Sequence, residues 1–211
     1  MASLPLPDEA VLPVNEVRDY HLINLQVAQW LDAGVRRIRL TGVEGQRLLL
    51  AGLAGPWTAE IDVEGFAGPE LATELNAAGV VVRGRGGAAD AAGSHLWAGA
   101  LVLFGPAGDG VGYRQGGGLI VVAGGAGHRA GLEQSGGTLV LVGPAGRLAA
   151  ERQRGGSVLA LRGAGPHLGR GATGGTRWAG TEDEARREVE PLWREAMAAH
   201  GDLLREALAA G

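Results

Sequence analysis

A glycine pattern that returns every 19 residues constrains this chain more than any other feature. Gly99, Gly118, Gly137, Gly156 and Gly175 keep that spacing, as do Gly108, Gly127, Gly146 and Gly165. A third column holds Gly93, Gly112, Gly131 and Gly169 with one lapse at Ala150, and a fourth holds Gly117, Gly136, Gly155 and Gly174. A repeat this short cannot bury an apolar face by itself, so each unit must stack on its neighbours. The 39 glycines among 211 residues, about 18% against a usual share of about 7%, then find their use in turns. Collagen is excluded because no glycine recurs at every third position, and disorder because 45% of the residues are apolar.

After each double glycine comes a short Val/Leu run: LVLF (101–104), LIVVA (119–123), TLVLV (138–142) and SVLAL (157–161). Such runs bounded by glycine read as one strand per repeat. Stacked in register, equivalent residues lie about 4.8 Å apart, and columns in sequence become ladders in space. One strand face collects Leu101, Ile120, Leu139 and Val158 with Leu103, Val122, Leu141 and Ala160. The other collects Val102, Val121, Val140 and Leu159 with Phe104, Ala123, Val142 and Leu161. A solenoid core needs only one of these faces, so the outer one requires a cover.

The predicted fold is an all-β repeat, a right-handed parallel β-helix with flanking N- and C-terminal α-helices. Residues 1–34 form an arm and helix, 35–180 the glycine-rich β-helix, and 181–211 a C-terminal helix. Earlier coils are expected at RRIRLTG (36–42), QRLLLAG (46–52), AEIDVEG (59–65) and AGVVVRG (78–84). A helix is expected from about Tyr20 to Ala33, stopped by Gly34. Thr181-Glu-Asp-Glu184 is a capping-box sequence opening a second helix with Val189, Trp193, Met197, Leu204 and Leu208 on its apolar side. That helix, or the first, is the expected cover.

Composition narrows the chemistry. With no cysteine, disulfides, thiolate metal sites and a cysteine nucleophile are excluded; with all 19 basic residues arginine, so are a Schiff-base and a P-loop lysine. Net charge −4 and no dense basic stretch argue against nucleic acid. No 18-residue apolar run argues for a membrane span, and a cytoplasmic location is the default. Gly169-Arg-Gly-Ala-Thr-Gly174 matches a dinucleotide fingerprint, yet its glycines belong to the repeat columns. His21, His95, His128, His167 and His200 are dispersed. Asp109, His128 and Arg147 share one column, Arg114, Glu133 and Arg152 continue another from His95, and Gln115, Gln134 and Gln153 form a glutamine ladder. The last two columns read as structural and the Asp109/His128/Arg147 column as a solvated edge, and no catalytic, cofactor-binding or metal-binding residue is assigned.

The unit in GPAGDGVGYRQGGGLIVVAG (105–124) resembles the glycine-rich (GXGXG) β-helix domain found in the C-terminal region of the glutamate synthase large subunit and in the β-helix subunit of formylmethanofuran dehydrogenase. The stretch INLQVAQWLDAGVRRIRLTGVEGQRLLLAGLAG (23–55) resembles the leading segment of stand-alone glutamate synthase-type subunits, through Asn24, Gly34, Arg36, Arg37, Gly45, Gln46, Arg47 and Gly52. The pattern departs at Pro106, Gly125 and Pro144, where an acidic residue or Asn is usual, and in a glutamine column where methionine is usual. The resemblance implies a β-helix without catalytic residues or cofactor that braces amidotransferase-like and FMN-containing domains carried on separate chains. It implies a scaffold subunit of an oxidoreductase complex that handles amide nitrogen. The alternatives are a component like the formylmethanofuran dehydrogenase β-helix subunit, or an independent solenoid for interaction or homo-oligomerisation.

Overall fold

The computed structural model describes residues 9–211 other than Arg18 and Val189. The described residues form one parallel sheet of nine strands in chain order, wound into a β-solenoid. The strands are β1 (Glu9–Pro13), β2 (Arg37–Glu44), β3 (Thr58–Phe66), β4 (Asn76–Gly84), β5 (Ala98–Leu103), β6 (Leu119–Val122), β7 (Thr138–Leu141), β8 (Ser157–Ala160) and β9 (Thr176–Ala179). From β5 onward the register advances by the sequence period, so that Leu101, Ile120, Leu139 and Val158 are successive partners. Earlier coils are longer, yet Ile38, Ile61, Val82 and Leu101 continue the same inward column. Register is fixed because a one-residue slip would turn every inward side chain outward.

Two details differ from the sequence reading. QRLLLAG (46–52) forms no strand but a corner, with Leu48 and Leu50 at positive φ (57° and 60°) and Leu49 fully buried between them. A run of leucines is ambiguous by periodicity alone, and here the bonds to the next corner decide, Leu48 N–H donating to Pro69 and Gly52 N–H to Thr73. Strand β1 lies within the segment read as arm, where Ala10 pairs with Ile38.

The two strand faces serve different cores. The inward face, with Leu101, Ile120, Leu139 and Val158, forms the solenoid interior. Helix α1 (Tyr20–Asp32) contributes Ile23, Val27 and Leu31 to that interior and stoppers its N-terminal end. It starts at Asp19, whose side chain accepts the His21 N–H at 2.9 Å, and ends before Gly34 at φ 91°.

The outward face, with Val102, Val121, Val140 and Leu159, packs under Ala185 of α2 (Glu182–Glu188) and Trp193, Ala196, Leu204 and Ala207 of α3 (Glu190–Ala210). The C-terminal helices are therefore the cover. The capping box is present in full: Glu184 accepts the Thr181 N–H at 2.8 Å while Thr181 Oγ1 accepts the Glu184 N–H at 3.3 Å. Of the apolar residues expected on this cover, Val189 lies outside the described residues. Beyond the cover, the outer wall of β2–β4 turns polar: Arg83 bonds Glu60 and Arg85 bonds Asp62, and both reach Glu206 of α3.

Two groups make the cover sensitive to acid. The Glu184 carboxyl is held below its ordinary range by the backbone hydrogen bond from Thr181, so its contribution is complete above the unfolded pKa and is lost as pH falls through the folded one. His200, at a non-helical turn inside α3 (φ −144°), has its pKa lowered by burial. The unfolded chain therefore takes up this proton first, and stability falls from the ordinary imidazole range down to the folded value. The melting temperature should drop in both windows. His200→Asn should remove the first drop and Glu184→Gln should shrink the second; a profile that neither variant alters would refute this assignment.

Candidate functional site

The polar columns run along one edge of the solenoid, the corner that follows each Ala107-type bridge. These bridges link Ala67, Ala88, Ala107, Ala126, Ala145 and Ala164 rung by rung. In this corner positive φ recurs at alternate residues: Gly110, Gly112 and Arg114 in one coil, Arg129, Gly131 and Glu133 in the next, Leu148, Ala150 and Arg152 in the third. Ala150, the lapse in the glycine column, takes the left-handed conformation at φ 55° in spite of its Cβ. Such conformations persist for ordinary residues only where the surroundings over-determine them. Here the neighbouring coils do so, with Arg114 N–H donating to Leu132 and Gly112 N–H donating to Ala92.

The Asp109/His128/Arg147 column is used for stacking. Asp90 accepts the Asp109 N–H at 2.9 Å, Asp109 accepts the His128 N–H at 2.7 Å, and His128 Nδ1 accepts the Arg147 N–H at 3.3 Å. Arginine has no acceptor to continue the series. The next residue of the column is Pro166, which has no N–H to satisfy. The column thus ends without an orphaned donor.

In the adjoining column Glu133 is held by Arg114 at 2.8 Å and Arg152 at 3.6 Å, and Arg114 keeps the Glu133 carboxyl below its ordinary range.

The glutamine ladder lies inside the solenoid, with Gln115, Gln134 and Gln153 all fully buried. Gln134 donates to Gln115 at 3.1 Å, Gln153 donates to Gln134 at 2.9 Å, and Arg177 closes the series on Gln153 Oε1 at 3.0 Å. Each amide also serves backbone carbonyls, Gln134 reaching Gly137 and Ser157. A buried network this complete is stable only as a whole. Gln134→Met should orphan the Gln115 oxygen and lower stability by about 2 kcal/mol, measured by denaturant unfolding. Replacing all three glutamines by methionine should cost less than that single change. A triple variant worse than the single one would contradict the ladder's cooperativity.

The histidines stay apart. His21 contacts Asp19, His95 packs edge-on against Tyr113, His128 joins the corner ladder and His200 sits in α3. Among the described residues no three His, Asp or Glu side chains assemble into a metal-binding group. Gly169–Gly174 runs through a corner into β9 rather than into a helix, with Gly169 and Gly171 at φ 68° and 70°. A cleft of about 660 Å³ lies at the N-terminal end of the polar edge, lined by Tyr20, Glu70, Glu74, Ser94, His95 and Tyr113. Sequence reasoning missed it because it joins α1 to corners of four coils.

Comparison with protein-family models, with curated proteins and with solved structures returns no match. The residues that carry the resemblance to glutamate synthase-type subunits are thus read by what they do in the fold. Asn24 donates to the Leu48 carbonyl at 2.8 Å and accepts the Leu50 N–H at 2.7 Å, fastening α1 to the first corner. Gln46 accepts the Glu44 N–H at 2.6 Å, and Arg47 pairs with Glu70 at 3.6 Å. Gly34, Gly45 and Gly52 have positive φ. Arg36 and Arg37 are exposed. No helix of the described residues is long and apolar enough to cross a membrane.

Proposed function

We propose that this protein is a non-catalytic scaffold subunit of a glutamate synthase-like assembly that handles amide nitrogen, docking amidotransferase-like and FMN-containing subunits. The reading rests on the repeat unit and leading segment that resemble that family. It is supported above all by one observation: the polar columns singled out by the sequence are taken up in coil-to-coil bonding. Asp90, Asp109 and His128 hold backbone N–H groups, and the three glutamines hold one another. A stacked solenoid is a long rigid body, and such bodies serve as platforms for larger domains.

The test is reconstitution. A tagged chain expressed in its native cell should co-purify with an amidotransferase-like and an FMN-containing polypeptide. Glutamine-dependent activity of that complex should vanish when this subunit is omitted and return when it is added back. Turnover of glutamine or 2-oxoglutarate by the isolated chain, with flavin bound to it, would overturn the proposal.

A further inference from the structure

Charge is unevenly distributed along the solenoid. On the polar edge the chain from Gly110 onward carries Arg114, Arg129, Arg147, Arg152 and Arg170 against two carboxylates, Glu133 and Glu151. The earlier corners carry Glu70, Glu74, Asp90 and Asp109 against Arg47 alone. The stacking turns this into a long edge, acidic at its α1 end and basic at its β9 end. Of the helices, α2 and α3 lie on the β5–β8 wall, and α1 reaches only the N-terminal end of this edge, where Tyr20 lines the cleft with Glu70 and Glu74. Asp90, Asp109, Arg147 and Arg170 are exposed on it.

We propose that this edge is a self-association surface, on which a second copy of the chain docks antiparallel about a two-fold axis perpendicular to the solenoid. The argument is self-complementarity. In a two-fold contact of this kind each column faces its own reversed copy, and a patch must match itself. With the axis midway between the Arg114 and Glu133 rungs, Arg114 of one copy lies opposite Glu133 of the other, and Asp90 opposite Arg147. Asp109 then faces His128, Glu70 faces His167 and Thr73 faces Arg170. Next to the axis the half-buried Tyr113 meets the half-buried Leu132, twice, which gives the patch an apolar centre within a charged rim. Rungs about 4.8 Å apart on both copies keep every pair in step.

Moving the axis by half a rung puts Asp109 opposite itself and Arg114 opposite itself. A parallel two-fold would set the acidic rung of Glu70 and Glu74 against itself and the basic rung of Arg147 and Arg152 against itself. The charge gradient therefore selects the antiparallel orientation, and the facing of Tyr113 with Leu132 selects the register. This inference stands independently of the role in an amide-nitrogen assembly.

The experiment is sedimentation equilibrium of the full chain with charge-swap variants. The parent should be a dimer at low salt, with a dissociation constant that rises by about tenfold or more towards 1 M NaCl as the charges are screened. Arg147→Glu should weaken the dimer at least as much while leaving the melting temperature in place, since the Arg147 side chain is exposed and Pro166 on the next rung has no N–H. Asp90→Arg should also weaken it, and the double variant carrying both changes should restore it. Asp90→Arg also removes the acceptor of the Asp109 N–H, which water can replace at this exposed rung, and the melting temperature of each variant separates that loss from the loss of the dimer.

A second measurement uses the absence of cysteine from the chain. His95→Cys and Arg152→Cys proteins mixed together should cross-link through a short bis-maleimide far faster than either alone, because these positions face each other while like copies are offset by three rungs, about 14 Å. A parent monomeric at low salt, a dimer indifferent to Arg147→Glu, a swap that fails to restore it, or cross-linking as fast within each single variant would each overturn the proposal.

Discussion

Gly136→Val should lower the stability of the solenoid by about 3 kcal/mol or more, enough to shift the unfolding midpoint visibly in denaturant. The reason is contact rather than backbone angle. A Cβ on Gly136 would fall on the carbonyl oxygen of Gly116 in the coil below. The same holds for Gly117 over Trp97, Gly155 over Ser135 and Gly174 over Arg154, which is why the column admits nothing larger. Relief would require lifting one coil off another, and with it the bonds from Gly136 N–H to Gln115 and from Thr138 N–H to Gly118. Gly211 lies outside every column but is a poor reference, because its Cβ would meet the Ala123 carbonyl oxygen at 2.6 Å. Gly125 is the better one: a Cβ there has nothing nearer than Pro144 at 3.6 Å, and prolines fill the equivalent positions Pro106 and Pro144. Gly125→Pro should be neutral or stabilise by about 0.5 kcal/mol. Equal loss at both positions would mean that the column spacing has another origin.

The legibility of this fold follows from its repetition. Where a coil is 19 residues long, stacking copies each local choice upward, and the two faces of β5–β8 could be separated residue by residue from columns alone, although both are apolar and which one turns inward could not be read. Strand β9 was not legible because Arg177 and Trp178 stand where the columns require apolar aliphatic residues. They do so because the last coil has no neighbour above: Arg177 turns onto Gln153 and the Gly174 carbonyl at 2.7 Å, sealing the interior with a cation. The early coils were legible as strands but not as corners, since Leu48 and Leu50 adopt positive φ against the preference of their side chains. The polar edge was only half legible. Its columns could be read, but a linear scan for basic stretches sees arginines scattered along the sequence and cannot register that stacking gathers them. The cleft beside Tyr20 was invisible for a related reason, because it needs the placement of α1 over the first corners.

Deleting residues 181–211 should give the largest effect of all: loss of several kcal/mol of stability together with self-association. The deletion uncovers Val102, Leu119, Val121, Val140 and Leu159, each fully buried in the complete chain, with Ala123, Val142 and Leu161 beside them. Covering a valine or leucine is worth about 1.5–3 kcal/mol, and a contiguous apolar patch of this extent exceeds what monomers ordinarily show to water. It also frees Arg83 and Arg85 from Glu206. A milder version keeps the helices and places a charge under them: Leu204→Asp, at a fully buried site against the wall, should detach α3 without shortening the chain. Both variants should bind a hydrophobic dye that the parent ignores. Salt separates this association from the one proposed along the charged edge. Contact between uncovered walls strengthens in sulfate, because excluded salts favour apolar burial, whereas the edge contact weakens as its charges are screened. A truncated chain that stays monomeric in sulfate, ignores the dye and melts with the parent would show that the helices rest on the wall without stabilising it.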